Sequence, residues 1–349
     1  VEGLNYMKPK DTYFYYKWHL YSAGHADLNM KHFSVRDDII RNRDRKDNWV
    51  LGDSGGFQIG KGVWEGDWKD PSCPKAKKKR EQVLEFMDGN MDYGMILDIP
   101  AWVSRSPQGA KASNINSYQE AVDGTKINND YFMKNRNGNC KFLNVLQGEN
   151  FQQADDWYLQ MKDYCDPKKY TDHFNGWSMG GQNMCDIHLV LKRIVALRFD
   201  GLLEKGLHDF MHFLGTSKLE WAVLLTDLQR AIRKYHNENF TITFDCASPF
   251  LATSNGTQYT GYNLEHEGKW SYIMEKAPDD KAFHNDTIPY DTICDGLYDN
   301  WMPSPLTKLM KLRSVSCLVP LLSVIALEIE TKTRCKQVRL SRSPLRKRL

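Results

Sequence analysis

The stretch Trp49-Val50-Leu51-Gly52-Asp53-Ser54-Gly55-Gly56-Phe57-Gln58 sets the frame for this chain. An apolar approach runs into an acid, a serine and a pair of glycines. That order reads as a buried strand ending at Asp53 and opening into a tight loop. Glycine lets the main chain turn where a Cβ would clash and brings backbone N–H groups close to a ligand. Four later runs end in the same way: Met95-Ile96-Leu97-Asp98, Phe142 to Gly148, Trp177-Ser178-Met179-Gly180-Gly181 and Thr241-Ile242-Thr243-Phe244-Asp245. Strands that all deliver polar groups from their C-terminal ends are the layout of a (β/α)8 barrel.

Helical segments separate these runs. Leu20-Tyr21-Ser22-Ala23-Gly24 is a first strand and turn, and Arg36–Asp47, mixed in sign, is expected on a solvated helix. Lys75, Lys77, Lys78, Lys79 and Arg80 follow two prolines, on a loop or at a helix start near the barrel mouth. They are phosphate-binding candidates or a plain solvated face. Helices are expected over Glu81–Met87, Ser117–Lys134, Phe151–Cys165, Asp186–Phe199 and Lys218–His236, with a further strand at Asp209–Gly215. Strand-end landmarks at 53, 98, 147, 181, 215 and 245 lie 30 to 49 residues apart. Such β-α alternation means parallel strands, in a barrel or a doubly wound sheet. No G-x-G-x-x-G follows a strand, which gives a dinucleotide fold little support. Beyond Pro249 the pattern loosens: Thr253–Asn263 is polar and Gly-rich. Val315–Ile329 is apolar but broken by Pro320, and shorter than the ~20 residues of a spanning helix. The expected architecture is therefore α/β, a (β/α)8 TIM barrel over residues 1–300 with a divergent C-terminal extension over 301–349.

A barrel of this kind needs about 250 residues, and the 349 here, 41% hydrophobic, supply them with a core. Mean hydropathy of −0.60 argues against a membrane protein, and Val1–Lys10 lacks the apolar stretch of a signal peptide. Eight scattered cysteines form no C-x-x-C pair, pointing to a reducing cytoplasm, with the sequons at Asn239, Asn255 and Asn285 as chance matches. Net charge is +3, yet eight Lys and Arg follow Glu330 with no acid among them, so the body before them is net negative. The basic tail attracts phosphate or is simply solvated.

Asp53-Ser54-Gly55-Gly56-Phe57-Gln58, Gln147-Gly148, Gly180-Gly181 and Phe244-Asp245-Cys246 resemble, in order, the signature blocks of the tRNA-guanine transglycosylases. The resemblance covers roughly Trp49 to Pro249. It implies Asp245 as the nucleophile that attacks the sugar C1′ to form an acetal-ester, through an oxocarbenium-like transition state. Asp53 would protonate the departing guanine and deprotonate the incoming base. Asp98, Gln147 and the backbone of Gly180-Gly181 would read the base edge, and Leu214 would pack on it. Ser54 and Gly55 lie in the loop that approaches the ligand. The plainer alternative for each aspartate is a strand-end residue capping the next helix. Cys246 has no evident His partner and reads as a small buried residue, and His208 and His212, four apart on a strand, do not read as a zinc pair.

The chain departs from that family in two places. Ala247-Ser248-Pro249-Phe250-Leu251 stands where the family carries Pro-Thr-Arg, and the family's C-x-C-x-x-C zinc cluster is missing. No cofactor is expected, and no structural zinc in that arrangement. Retained catalytic residues with altered tRNA elements resemble the DNA-guanine transglycosylases of phage and bacterial 7-deazaguanine DNA-modification systems. The implied activity is a pentosyltransferase that replaces guanine in DNA with a 7-deazaguanine such as preQ0. The implied partner is DNA, with tRNA as the alternative; a homodimer or partner proteins of a modification system stay open. Rivals are a tRNA-acting enzyme, a non-catalytic nucleic-acid-binding subunit of the same fold, and a retaining glycosidase using Trp64–Trp68 as a sugar cleft.

Overall fold

A computed structural model describes residues 7–10, 15–31, 40–216, 218–248, 251–252, 255–265, 270–276 and 287–298, with 301, 303, 307, 308 and 311. The chain divides into two compact units. One comprises Val1–Thr216 with Val223–Asp245, the other Ser217–Ala222 with Cys246–Leu349.

The first unit is α/β. Its strands are β1 (Trp18–Ser22), β2 (Trp49–Asp53), β3 (Tyr93–Met95), β4 (Lys141–Leu146), β5 (Gly176–Met179), β6 (Phe210–Phe213) and β7 (Thr241–Phe244). They form one seven-stranded sheet, ordered β1 to β7, and every neighbouring pair is parallel. A doubly wound sheet reverses its strand order at a switch point; no reversal occurs here, so that alternative is gone.

The sheet is curled. Trp49 opens β2 and Phe210 opens β6, four strands away, which a flat sheet would hold about 19 Å apart. Their rings instead lie 4.8 Å apart, and Tyr93 at the head of β3 stacks on Phe210 at 4.7 Å. An aromatic plug thus fills the interior at the N-terminal ends. Among the described residues β1 and β7 do not pair, so the described sheet is an open part-barrel.

Helices connect the strands: α1 (Gly56–Gly60), α2 (Pro74–Asn90), α3 (Pro107–Ser113), α4 (Tyr118–Asn135), α5 (Phe151–Met161), α6 (Ile187–Phe199) and α7 (Leu219–Tyr235). Four begin on side chains that accept backbone N–H groups, namely Ser106, Ser117, Asn150 and Asp186. The expected solvated helix at Arg36–Asp47 is not formed over its described part. Residues 40–47 make turns, and Arg43 is buried, donating to the carbonyls of Asn48 and Asn90 and pairing with Asp92.

In the second unit β8 (Thr257–Asn263) pairs antiparallel with β9 (Ser271–Lys276), and α8 (Tyr290–Leu297) follows. The polar Thr253–Asn263 run is thus largely a strand. Tyr290 ties helix to hairpin by donating to Gln258 Oε1 at 2.5 Å. The apolar run Val315–Ile329 and the basic tail lie outside the described residues.

Candidate active site

The ends of β2 to β5 bring four of the expected positions together, although β3 stops at Met95 and Asp98 lies three residues past it. Asp53 closes β2, and its oxygens accept from Ser22 Oγ at 2.6 Å and from Gly55 N–H at 3.2 Å. Gly55 turns the chain with φ +79°. Gly56 has a different reason to be glycine: a Cβ there would lie 2.4 Å from the Asp98 carbonyl and 3.0 Å from its Oδ1. The glycine pair therefore brings the Asp53 loop directly onto Asp98. Ser54 is buried in the same loop.

Asp98 follows β3 and is 6% exposed. Gln147, just past β4, donates from Nε2 to Asp98 Oδ2 at 2.8 Å. Burial pushes the Asp98 carboxyl up to about 7, the charge of Asp53 adds to the rise, and the Gln147 bond opposes it. Gly180, after β5, packs on Gln147: a Cβ there would lie 2.7 Å from Nε2. Asn183 locks this corner, its amide donating to the carbonyls of Gln147 at 3.2 Å and Gly180 at 3.1 Å, while Gly181 starts its short 3-10 turn. Asp53, Asp98, Gln147 and Gly180-Gly181 thus form one contiguous row.

Leu214 follows β6, half-buried, with its N–H on the Met179 carbonyl at 3.0 Å. Asp245 follows β7 in different surroundings, its side chain 32% exposed. Oδ1 accepts from His212 Nε2 at 3.1 Å and from Gly215 N–H at 3.0 Å. Partial burial pulls its carboxyl up, but the His212 bond and charge and the Gly215 N–H outweigh that, so the net shift is downward.

The cationic cluster divides. It sits at the start of α2, one of the two expected placements, with Lys77 and Lys78 exposed and Lys75 paired to Glu65 at 2.8 Å. Lys79 stands over the Trp64 ring at 4.9 Å, and that ring lies against Gly55, which places the cluster beside the Asp53 loop. Arg80 turns inward instead and does not face a polynucleotide. It is 1% exposed and donates from Nε to Asn128 Oδ1 at 2.6 Å; Asn128 in turn donates to the Leu97 carbonyl at 2.7 Å. Arg80 thereby braces the turn that carries Asp98.

Other expectations change. Trp64 and Trp68 are buried, with Trp68 Nε1 on the Trp64 carbonyl, so they present no open sugar cleft. Cys246 is half-buried rather than buried. His208 precedes β6 and binds the Cys165 carbonyl at 2.8 Å, far in role from His212 on the strand. Ser22 and His212, given no site role from the sequence, bind Asp53 and Asp245. The available signal was composition: His212 is the lone polar residue of a buried Phe-Met-His-Phe strand.

Among the described residues no cluster of three or more His, Cys, Asp or Glu is placed to hold a metal ion. Nor is any helix among them long and apolar enough to cross a membrane. No protein-family model matches the chain, and no curated protein matches it.

Proposed function

We propose that this chain is a base-exchange transglycosylase that removes guanine from a polynucleotide, DNA in preference to tRNA, and inserts a 7-deazaguanine. In this reading the curled sheet belongs to a (β/α)8 barrel and the row of strand ends is its mouth. The observation that carries the proposal is the different setting of two carboxyls past strand ends: Asp98 sealed under Gly56 and bound by Gln147, Asp245 bound on one oxygen by His212 and Gly215, which raises the first and lowers the second. Titratable groups pushed apart by their surroundings take different roles in a site.

Asp245, held as a carboxylate, attacks C1′. His212 and Gly215 both bind Oδ1, and Oδ2 forms the glycosyl ester. Guanine departs from C1′ with the electron pair on its ring nitrogen, which takes up a proton. Asp53 stands at the mouth to supply that proton, with Asp98 packed beside its loop. Ionised Asp98 accepts from guanine N1–H and the exocyclic amine. The backbone at Gly180-Gly181 and the Gln147 amide face O6, and Leu214 covers the ring. The incoming base then reverses the sequence, giving net retention. A duplex hides C1′, so the target nucleotide is flipped out or single-stranded. Lys75, Lys77, Lys78 and Lys79 supply phosphate contacts beside the Asp53 loop.

The test supplies labelled guanine and a labelled 7-deazaguanine to the purified chain with DNA and with tRNA. Label in DNA supports the proposal. Label in tRNA alone overturns the polymer preference, and label in neither overturns base exchange.

A further inference from the structure

We propose that His212 is the positioning residue of the Asp245 nucleophile, fixing Oδ1 so that Oδ2 is the oxygen presented to C1′. This rests on the base-exchange reading above. The imidazole lies on β6 with a side chain 2% exposed, its Nε2 3.1 Å from Asp245 Oδ1 and its Nδ1 2.8 Å from Thr243 Oγ1. Two partners, one on each nitrogen, leave the ring no freedom to rotate away. With Nε2–H donating to Asp245, Nδ1 accepts from the Thr243 hydroxyl; a protonated ring donates to both. Thr243 satisfies either form, so the contact with Asp245 survives a change of protonation.

Packing does not account for these residues. Ser178, His212 and Thr243 stand in register on β5, β6 and β7, so their side chains share one face of the sheet. Phe210, two residues before His212, shares that face and meets the aromatic plug, which makes it the interior face. The Ser178 hydroxyl is buried there without a hydrogen-bond partner among the described residues. Leaving such a group unsatisfied is destabilising. An apolar interior would be more stable, and a polar row directly beneath a strand-end carboxylate is what a functional constraint leaves behind.

The chemistry fits a partner on Oδ1. In the first half-reaction the Asp245 Oδ2–C1′ bond forms while the bond from C1′ to the guanine nitrogen breaks, its electron pair going to that nitrogen with a proton. Oδ1 then becomes the ester carbonyl oxygen and continues to accept from His212. In the second half-reaction the ring nitrogen of the incoming base gives its proton to Asp53 and attacks C1′, the Oδ2–C1′ bond breaks, and its electrons return to a carboxylate that Nε2–H stabilises. His212 is a titratable side chain in direct contact with Asp245. Thr243 on the same strand is uncharged, and Gly215 contributes only its N–H.

The two nitrogens have different partners, so two amide variants separate positioning from packing. Glutamine places its amide where Nε2 lies, and asparagine where Nδ1 lies. Enzyme is incubated with its polynucleotide and no incoming base, and the covalent complex is followed in time at several pH values. His212→Gln is expected to form it within a few-fold of the wild-type rate. His212→Asn is expected to be about 10- to 100-fold slower with KM little changed, and its acid limb should move to higher pH, because Asp245 loses the partner that lowers it. Equal rates in wild type and His212→Asn overturn the assignment. So do equal losses in both variants with an unmoved acid limb, the mark of a purely structural histidine. If His212→Asn does not fold, Thr243→Val and Thr243→Ser replace it, with the same split expected and the same overturning result. A wild-type enzyme that forms no complex overturns base exchange itself, and the His212 role with it, whereas a complex indifferent to residue 212 overturns only the latter.

Discussion

Asp98 and Asp245 lie just past the C-terminal ends of β3 and β7 in one sheet, yet the protein treats them in opposite ways. Asp98 is sealed under Gly56 and tied to Gln147, and burial drives its proton affinity up to about 7. Asp245 keeps about a third of its side chain exposed, and His212 with Gly215 drives its proton affinity down. The lesson is that a strand-end aspartate is only a position, and its neighbours decide its chemistry. Burial without a cation raises a carboxyl's proton affinity, whereas an imidazole and a backbone N–H lower it.

Substitutions at these two residues sharpen the contrast most. Asp245→Asn should lower base exchange by more than ~10³-fold while leaving the polynucleotide Kd within a few-fold, read by single-turnover label transfer and binding titration. Loss of binding instead would make Asp245 a recognition residue.

Asp98→Asn should act on stability as well. Because the folded carboxyl ionises only near 7 whereas the unfolded one ionises near 4, the wild type loses stability as pH climbs between those values. An asparagine does not ionise, so its advantage over wild type should grow from pH 4 to 7 and then level off, reaching on the order of 4 kcal/mol. Denaturant melts at pH 4.5 and 8 measure it; a constant difference would mean that Asp98 is not raised.

The face of α2 supplies the next contrast. Arg80→Leu should cost about 2–3 kcal/mol in stability, because it strips Asn128 of its partner under the Asp98 turn. The double variant Lys77→Gln, Lys78→Gln should leave stability within about 0.5 kcal/mol. It should flatten the salt dependence of polynucleotide binding, by about 0.9 in log–log slope per lost phosphate contact on duplex DNA. Swapped outcomes would exchange the two roles.

Residues 53, 147, 180–181 and 245 were legible because glycine and a polar residue after an apolar run mark where a strand stops, whereas Asp98 lies three residues past the end of β3. What each site residue touches was less legible. Arg80 sits in a run of lysines and reads as one more surface cation. Only the inward spacing Ala76, Arg80, Val83, Met87 separates it, and that stripe is short of apolar residues at its start. His212 required the β6–β7 register, a pairing between segments some 30 residues apart that no local pattern encodes. The β8–β9 hairpin was hidden by polar composition and by a register shift between Tyr259 and Gly261, which breaks the period-two alternation.

The central claim is that a carboxylate at the end of β7 forms a bond to the sugar. The most direct measurement is peptide mapping by mass spectrometry of enzyme incubated with a guanine-containing polynucleotide in the absence of incoming base. A nucleotide adduct on the peptide carrying Asp245, lost in Asp245→Asn and discharged by added guanine, is the predicted result. An adduct located on another residue, or base exchange proceeding in Asp245→Asn at the wild-type rate, would contradict the account.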